Sequence, residues 1–344
     1  MKTIFGIQYL RALAAIAVVL FHAAEKTGHS FAIGAAGVDV FFVISGFIMW
    51  MISDRRAMSP AGFLLERARR IVPVYWAATA VMVLGALLGL FPNLTLSLEH
   101  VLASLFFIPA HSPSSGEIWP VLVQGWTLNF EMFFYLVFAL SLSLARRWRL
   151  ITVAALFAAL VAIGATIDTG NALLFTYTRP IMLEFVAGMV VGQIWLKGKI
   201  PGQAVGLGLV MFGMAGFAII ALFKLPFDVL SCGPLAVALV TGVLSLEAAG
   251  RLRPWRGLVF LGDASYSIYI WHTFAISVIA KLGAVAGFPA GAVFVAAVFG
   301  GTALGSAAYL LLERPLAKYL RSPKSAPGSN LATAAAKEAP RLSS

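Results

Sequence analysis

Apolar residues run along this chain in blocks separated by short stretches of Arg, Lys, Ser, Pro and Gly. Each block is close to the roughly 20 residues that carry a helix across a bilayer. Lipid satisfies no backbone hydrogen bonds, so blocks of this length predict helices rather than open sheet. We place ten of them, at about 5–25, 34–53, 72–91, 121–143, 150–167, 180–196, 203–223, 229–248, 264–282 and 290–312. The expected fold class is all-α, a polytopic membrane protein of about ten transmembrane helices with both termini cytoplasmic. Residues 1–320 form the transmembrane domain, and 321–344, rich in Ser, Pro, Ala and Gly, form a disordered cytoplasmic tail.

Charge sets the orientation. Between the second and third blocks lie Arg55, Arg56, Arg67, Arg69 and Arg70, whereas the next connection, 92–120, contains no Lys or Arg. Arg146, Arg147 and Arg149 follow, then Lys197 and Lys199, then Arg251, Arg253 and Arg256. The opposite side carries only Lys26, Arg179, Lys224 and Lys281. Positive connections alternating with neutral ones are the mark of cytoplasmic loops, and the alternation requires an even number of spans. Ser59-Pro60 looks like a helix start, and Phe63 to Arg70 reads as a short interfacial helix. Leu98 to Pro109 is too short to span and apolar enough to dip into the interface and roof a cavity.

Composition agrees with this picture. The chain is 60% hydrophobic and 11% charged, with mean hydropathy +0.92. A net charge of +11 would suggest nucleic acid in a soluble protein; here it belongs to topology, and no nucleic-acid partner is expected. The bilayer is the first partner. Cys232 stands alone, which excludes an intrachain disulfide framework, and His29, His100 and His111 lack ligand spacing, so no metal is expected. With one lysine, a long first block and no clear cleavage site, the N-terminus reads as a retained span.

Within the first block stand Arg11 and His22. An ionisable group inside a membrane helix is costly and marks a functional site by default. Eleven residues return nearly to the same helix face, about 16 Å further along. One helix thus offers a fixed cation and a titratable imidazole at two depths of one interior.

Several motifs accompany that pair. They are Gly37-Val-Asp-Val-Phe-Phe-Val-Ile-Ser-Gly46-Phe47, Arg67-Ala-Arg-Arg-Ile-Val-Pro73-Val-Tyr75-Trp76, and Gly125-Trp126-Thr-Leu-Asn-Phe-Glu131 through Tyr135. Further on come Gly262-Asp-Ala-Ser265-Tyr266-Ser-Ile-Tyr269-Ile-Trp-His272 and Glu313-Arg-Pro315. In this order the chain resembles the acyltransferase 3 family of integral membrane acyltransferases, most of all its exopolysaccharide O-acetyltransferases. Thr127 stands where the family often has Ser and keeps the hydroxyl. The resemblance implies a ten-helix domain in the bacterial inner membrane. It implies transfer of a short acyl group, usually acetyl, from cytoplasmic acyl-CoA to a hydroxyl of an extracytoplasmic glycan or its lipid-linked precursor. It also makes the first-helix Arg and His essential, places the His at the transfer step, and admits polysaccharide-assembly proteins as partners.

The residues can bear that chemistry. His22 is the candidate general base, either deprotonating the attacking alcohol or passing through an acyl-imidazole. Asp39, at similar depth on the second helix, is its expected orienting partner, although an aspartate near a helix N-terminus also has a dipole role. Arg11 suits a CoA phosphate, the acyl carbonyl, or charge balance with Glu131, the strongest carboxylate candidate in the core. Arg67, Arg69 and Arg70, with Tyr75, read as CoA contacts or as ordinary cytoplasmic positive charge. Ser45, Trp126, Tyr135, Ser265, Tyr269 and His272 are expected along the channel and acceptor path, the last three sharing a face, or simply bonding between helices. Glu184 is expected near Arg179, and Glu313 beside Arg314. Two other classes fit the same pattern: a glycan or small-solute transporter, and a polysaccharide-export component without chemistry of its own.

Overall fold

A computed structural model describes residues 3–55, 58–167, 169–226 and 228–320. The expected tail at 321–344 lies outside the described residues. The described chain is helical, without strands: α1 (Phe5–Lys26), α2 (Gly37–Arg55), α3 (Pro60–Leu87), α4 (Leu98–Leu105), α5 (Trp126–Ser141), α6 (Arg146–Gly164) and α7 (Ala172–Tyr177). Then come α8 (Met182–Leu196), α9 (Gln203–Phe223), α10 (Val229–Ala248), α11 (Arg256–Val285), α12 (Ala290–Ala308) and α13 (Arg314–Tyr319).

Among the described residues nine helical stretches are long and apolar enough to cross a membrane. The expected span at 121–143 is present as α5, only 16 residues long, led in by a 3₁₀ turn at Val123–Gly125. At 1.5 Å per residue α5 is about 24 Å long, short for a bilayer core. Two helices run longer than expected. The interfacial helix and third span are one 28-residue helix that carries Pro73 inside it. It starts where Ser59-Pro60 predicts, with the Ser59 hydroxyl accepting from the Gly62 N–H at 3.1 Å. Its first turns point arginines into the bundle, which holds them upright instead of flat on the surface. α12 passes into α13 through a π-helical turn, Tyr309–Glu313.

The ends of the helices sort by charge. Glu247, at the end of α10, accepts the N–H groups of Phe5 and Gly6 at 3.2 and 2.9 Å and so caps α1. Arg251 donates to Gln203 at 2.7 Å, and Arg146 pairs with Asp54. The basic connections therefore gather at the end where α1, α3, α6, α9 and α11 begin.

Close helix approach relies on glycine. A Cβ on Gly46 would lie 2.0 Å from the Phe185 carbonyl, and one on Gly188 2.0 Å from the Val43 carbonyl, so α2 and α8 touch backbone to backbone. Small residues are what permit this in membranes. Around the contact Phe134 stacks on Phe185 at 4.4 Å, and Phe42 lies 4.6 Å from Phe185. α1 packs on α11, α11 on α12, and α9 on α10. The outward faces carry exposed Leu13, Leu207, Met211, Leu222 and Phe299, an apolar coat for lipid.

Candidate active site

A cavity of about 100 Å³ opens among α1, α2, α3, α5 and α11, room for several waters. Arg11, Arg67 and Arg70 reach it with Ser45, Glu131, Tyr135, Ser265 and Tyr269; Phe41, Phe42, Ile48 and Met49 supply apolar wall. Residues 67 and 70 share a face of α3 by three-residue spacing. Arg69 lies on another face and does not line the cavity. Tyr75 also turns elsewhere, packing on Phe107 at 5.0 Å and beneath Gly125. Trp126 packs edge-on to Phe130 at 5.8 Å, away from the lining.

The two ends of the cavity differ in charge. Arg11 is 8% exposed and has Glu313, Asp263 and Glu131 as electrostatic neighbours, with Arg70 opposing them. Arg67 is equally buried; its guanidinium lies 5.9 Å over the Phe63 ring, and its Nε–H has no hydrogen-bond partner. Buried donors are nearly always satisfied in folded proteins, which sets this one apart. On α5, Glu131 Oε1 accepts from the Ser45 hydroxyl at 3.0 Å and from the Tyr135 hydroxyl, and the two hydroxyls lie 3.3 Å apart. The motifs on α2 and α5 thus close into one polar knot. Three guanidiniums thus meet Glu131 in the lining and Glu313 and Asp263 beside it.

His22 does not line this cavity. Its Nδ1 lies 3.3 Å from Glu25 Oε2, one turn further along α1. A carboxylate only accepts, so the Nδ1 carries a proton, and in the neutral ring Nε2 then keeps its lone pair. The ring packs 5.2 Å from the ring of His272. His272 is fully buried, donates from Nδ1 to the Ile268 carbonyl at 2.9 Å, and leaves Nε2 without a partner. His272 in turn lies 6.2 Å from Tyr269, whose hydroxyl meets Thr127 at 3.0 Å and the Gln124 carbonyl at 3.3 Å. Tyr269, which lines the cavity, and His272 thus stand between the cavity and His22.

Three expected pairings are replaced. His22 takes Glu25, not Asp39; Asp39 instead faces the buried Glu184 across the α2–α8 contact. Arg179, expected beside Glu184, instead stacks on Phe175 at 4.9 Å. Glu313 accepts from Ser267 at 2.6 Å and faces Arg11 and Arg70 rather than Arg314. Glu25 was missed, although its three-residue spacing from His22 was visible in the sequence. Asp263, part of a quoted motif, was given no role. Among the described residues no group of three metal-ligating side chains forms.

A family model described as an acyltransferase domain (acyltransferase 3) matches residues 4–311. The exopolysaccharide production protein ExoZ of Rhizobium meliloti is 66% identical over 298 residues, 87% of this chain and 94% of that protein. The putative membrane-bound transacylase BcsY of Komagataeibacter xylinus is 30% identical, covering 76% of this chain and 70% of that one. The peptidoglycan O-acetyltransferase OatA of Listeria monocytogenes is 24% identical, and this chain spans 49% of its length. No solved structure matches. With these helices and this match, the chain belongs to the acyltransferase 3 family and is a membrane-embedded acyltransferase.

Proposed function

We propose that this enzyme moves an acetyl or other short acyl group from acyl-CoA to a hydroxyl of an extracytoplasmic glycan, an exopolysaccharide or its lipid-linked precursor. The observation that carries the reading is the single α1 helix joining an arginine-lined cavity at one depth to a carboxylate-oriented imidazole at another. Donor phosphates suit Arg11, Arg67 and Arg70, and the apolar wall suits the pantetheine arm. The basic end of the bundle faces the cytoplasm, both termini lie there, and the membrane is the bacterial inner membrane. The 66% identity to an exopolysaccharide production protein supports a polysaccharide acceptor.

In the transfer, Nε2 of His22 accepts the proton of the acceptor hydroxyl as its oxygen attacks the thioester carbonyl carbon. The new C–O ester bond forms, the C–S bond breaks, and the thiolate of CoA leaves and is protonated. Glu25 holds the imidazole in the tautomer this needs and steadies the imidazolium. His272 packs the ring in place. Glu131, Ser45 and Tyr135 line the part of the cavity that the arm would pass on its way toward His22.

The test uses membrane vesicles of a strain lacking the enzyme, supplied with labelled acetyl-CoA and surface glycan. Wild type labels the glycan as an ester, and His22→Ala does not. Equal labelling by both removes His22 from the chemistry. Transport of glycan without ester formation would favour the transporter reading.

A further inference from the structure

A second, larger hollow lies at the end of the bundle opposite the basic connections. It measures about 360 Å³, against about 100 Å³ for the central cavity. One wall is the start of α4 with the segment 109–113; the other is the turn into α7. These walls are about sixty residues apart in sequence, and His111 ties them. Its Nδ1 lies 2.8 Å from the Gly116 carbonyl and its Nε2 3.0 Å from the Gly170 carbonyl. Below, His100 is anchored by Nε2 to the Trp119 carbonyl at 2.7 Å, while its buried Nδ1 has no partner. The hollow is thus preformed and of the size of small-ligand sites.

Its chemistry selects the ligand class. No Lys or Arg lines it, and the stretch 92–120 has none. The one exposed side chain there that can carry positive charge, His111, has both ring nitrogens on the Gly116 and Gly170 carbonyls, and Glu99 stands on the rim, so an anion meets no free cationic donor. Glu99, exposed on the rim, offers acceptor oxygens for hydroxyl groups, the strongest kind of neutral-donor hydrogen bond. Asn171 spends its carbonyl oxygen capping α7, at 3.0 Å from the Leu174 N–H, which leaves its amide N–H groups to donate. Pro109, Pro113 and Leu173 give apolar surface for C–H faces. Hydroxyl-directed polar groups beside small apolar planes, without a free cationic donor, suit uncharged sugar rings.

We propose that this hollow is the docking subsite for neutral sugar residues of the acceptor, holding the glycan while one of its hydroxyls enters the bundle. The inference rests on the glycan-acyltransferase reading and names the surface that reading needs. Leu173, 43% exposed, is the place to fill it.

The test compares wild type, Leu173→Trp and Glu99→Gln in detergent, using a neutral hexose oligosaccharide and a uronic-acid oligosaccharide as probes. Binding is read directly by saturation-transfer NMR, and also in a His22→Ala background, so it does not depend on turnover. The expected result is neutral-probe binding that Leu173→Trp weakens at least about tenfold and Glu99→Gln weakens less, with the uronic-acid probe weaker throughout. Donor-only hydrolysis of acetyl-CoA stays unchanged in both variants. Neutral-probe binding or acceptor KM untouched by both variants overturns the subsite, as does preference for the uronic-acid probe. Binding lost in the variants, with no acyl transfer by wild type, keeps the subsite and instead removes the transferase reading of it.

Discussion

Arg67 allows the donor-site assignment to be tested by two readouts that move in opposite directions. The perturbation is Arg67→Met, which keeps an unbranched apolar stem over Phe63 and deletes the cation. A hydrogen bond to a charged group contributes about 1.5–3 kcal/mol, and each 1.4 kcal/mol is a factor of ten. If the unpartnered Nε–H takes a donor phosphate, labelled acetyl-CoA should bind about 10- to 150-fold more weakly, with Arg67→Lys in between because it keeps charge without the fork. Stability should not fall. Replacing a buried ion by an apolar side chain is often neutral or stabilising by about 1–4 kcal/mol, offset here by about 1–2 kcal/mol of cation–π contact. Arg69→Met, on the other face of α3, should change donor binding by less than about threefold. Equilibrium binding to the purified protein and a thermal melt suffice. Lower Tm with unchanged donor binding would make Arg67 a structural charge and remove the cavity as the donor site.

Glu25→Gln should slow acyl transfer a few-fold at unchanged donor KM, because an exposed pair contributes about 0.2–1 kcal/mol; Asp39→Asn should leave the pH–rate profile in place, and a shifted profile there would restore Asp39 as the partner of His22. His111, in the loop outside the spans, has its pKa raised because both ring nitrogens face carbonyl oxygens that only the imidazolium satisfies. Its tie between the two loops is fully present below the unfolded pKa of about 6.5 and is lost as pH rises through the higher folded value. Hydrogen exchange at 110–117 and 169–171 should therefore speed up between mildly acidic and alkaline pH beyond its intrinsic rise, and His111→Ala should abolish that excess. Gly188→Ala drives a Cβ into the Val43 carbonyl and should cost folding enough to lower the yield of monodisperse protein several-fold; a normal yield and melt would mean α2 and α8 separate easily.

The helices and their ends were legible because hydropathy, capping and charge act locally. Ser59 starts α3 as its side chain dictates; Arg11 reaches the cavity, whereas His22, eleven residues on, lies outside its lining and pairs with Glu25. Partner choice was less legible. α8 and α12 are apolar all round, so periodicity does not say which neighbour each helix meets. That choice rests on backbone contacts at Gly46 and Gly188, and it sends Asp39 to Glu184 instead of His22. The continuous α3 was missed because its arginines read equally well as a surface charge; only the cavity gives them an inside to face. Glu313 was paired with its sequence neighbour because nothing local signals the wider turn before it.

That wider turn has a consequence for how the chain tolerates length changes. A π-helical turn holds one surplus residue relative to regular winding. Removing any one of Tyr309 to Leu312 would let the turn rewind to regular α geometry, and because the wide turn already absorbs that residue's rotation of about 100°, Glu313 would keep facing Ser267 and the Arg11 guanidinium. A gap of a single codon at this point, harmless to hydropathy and to span length, would thus leave the far end of the polypeptide coupled to the cation near its beginning.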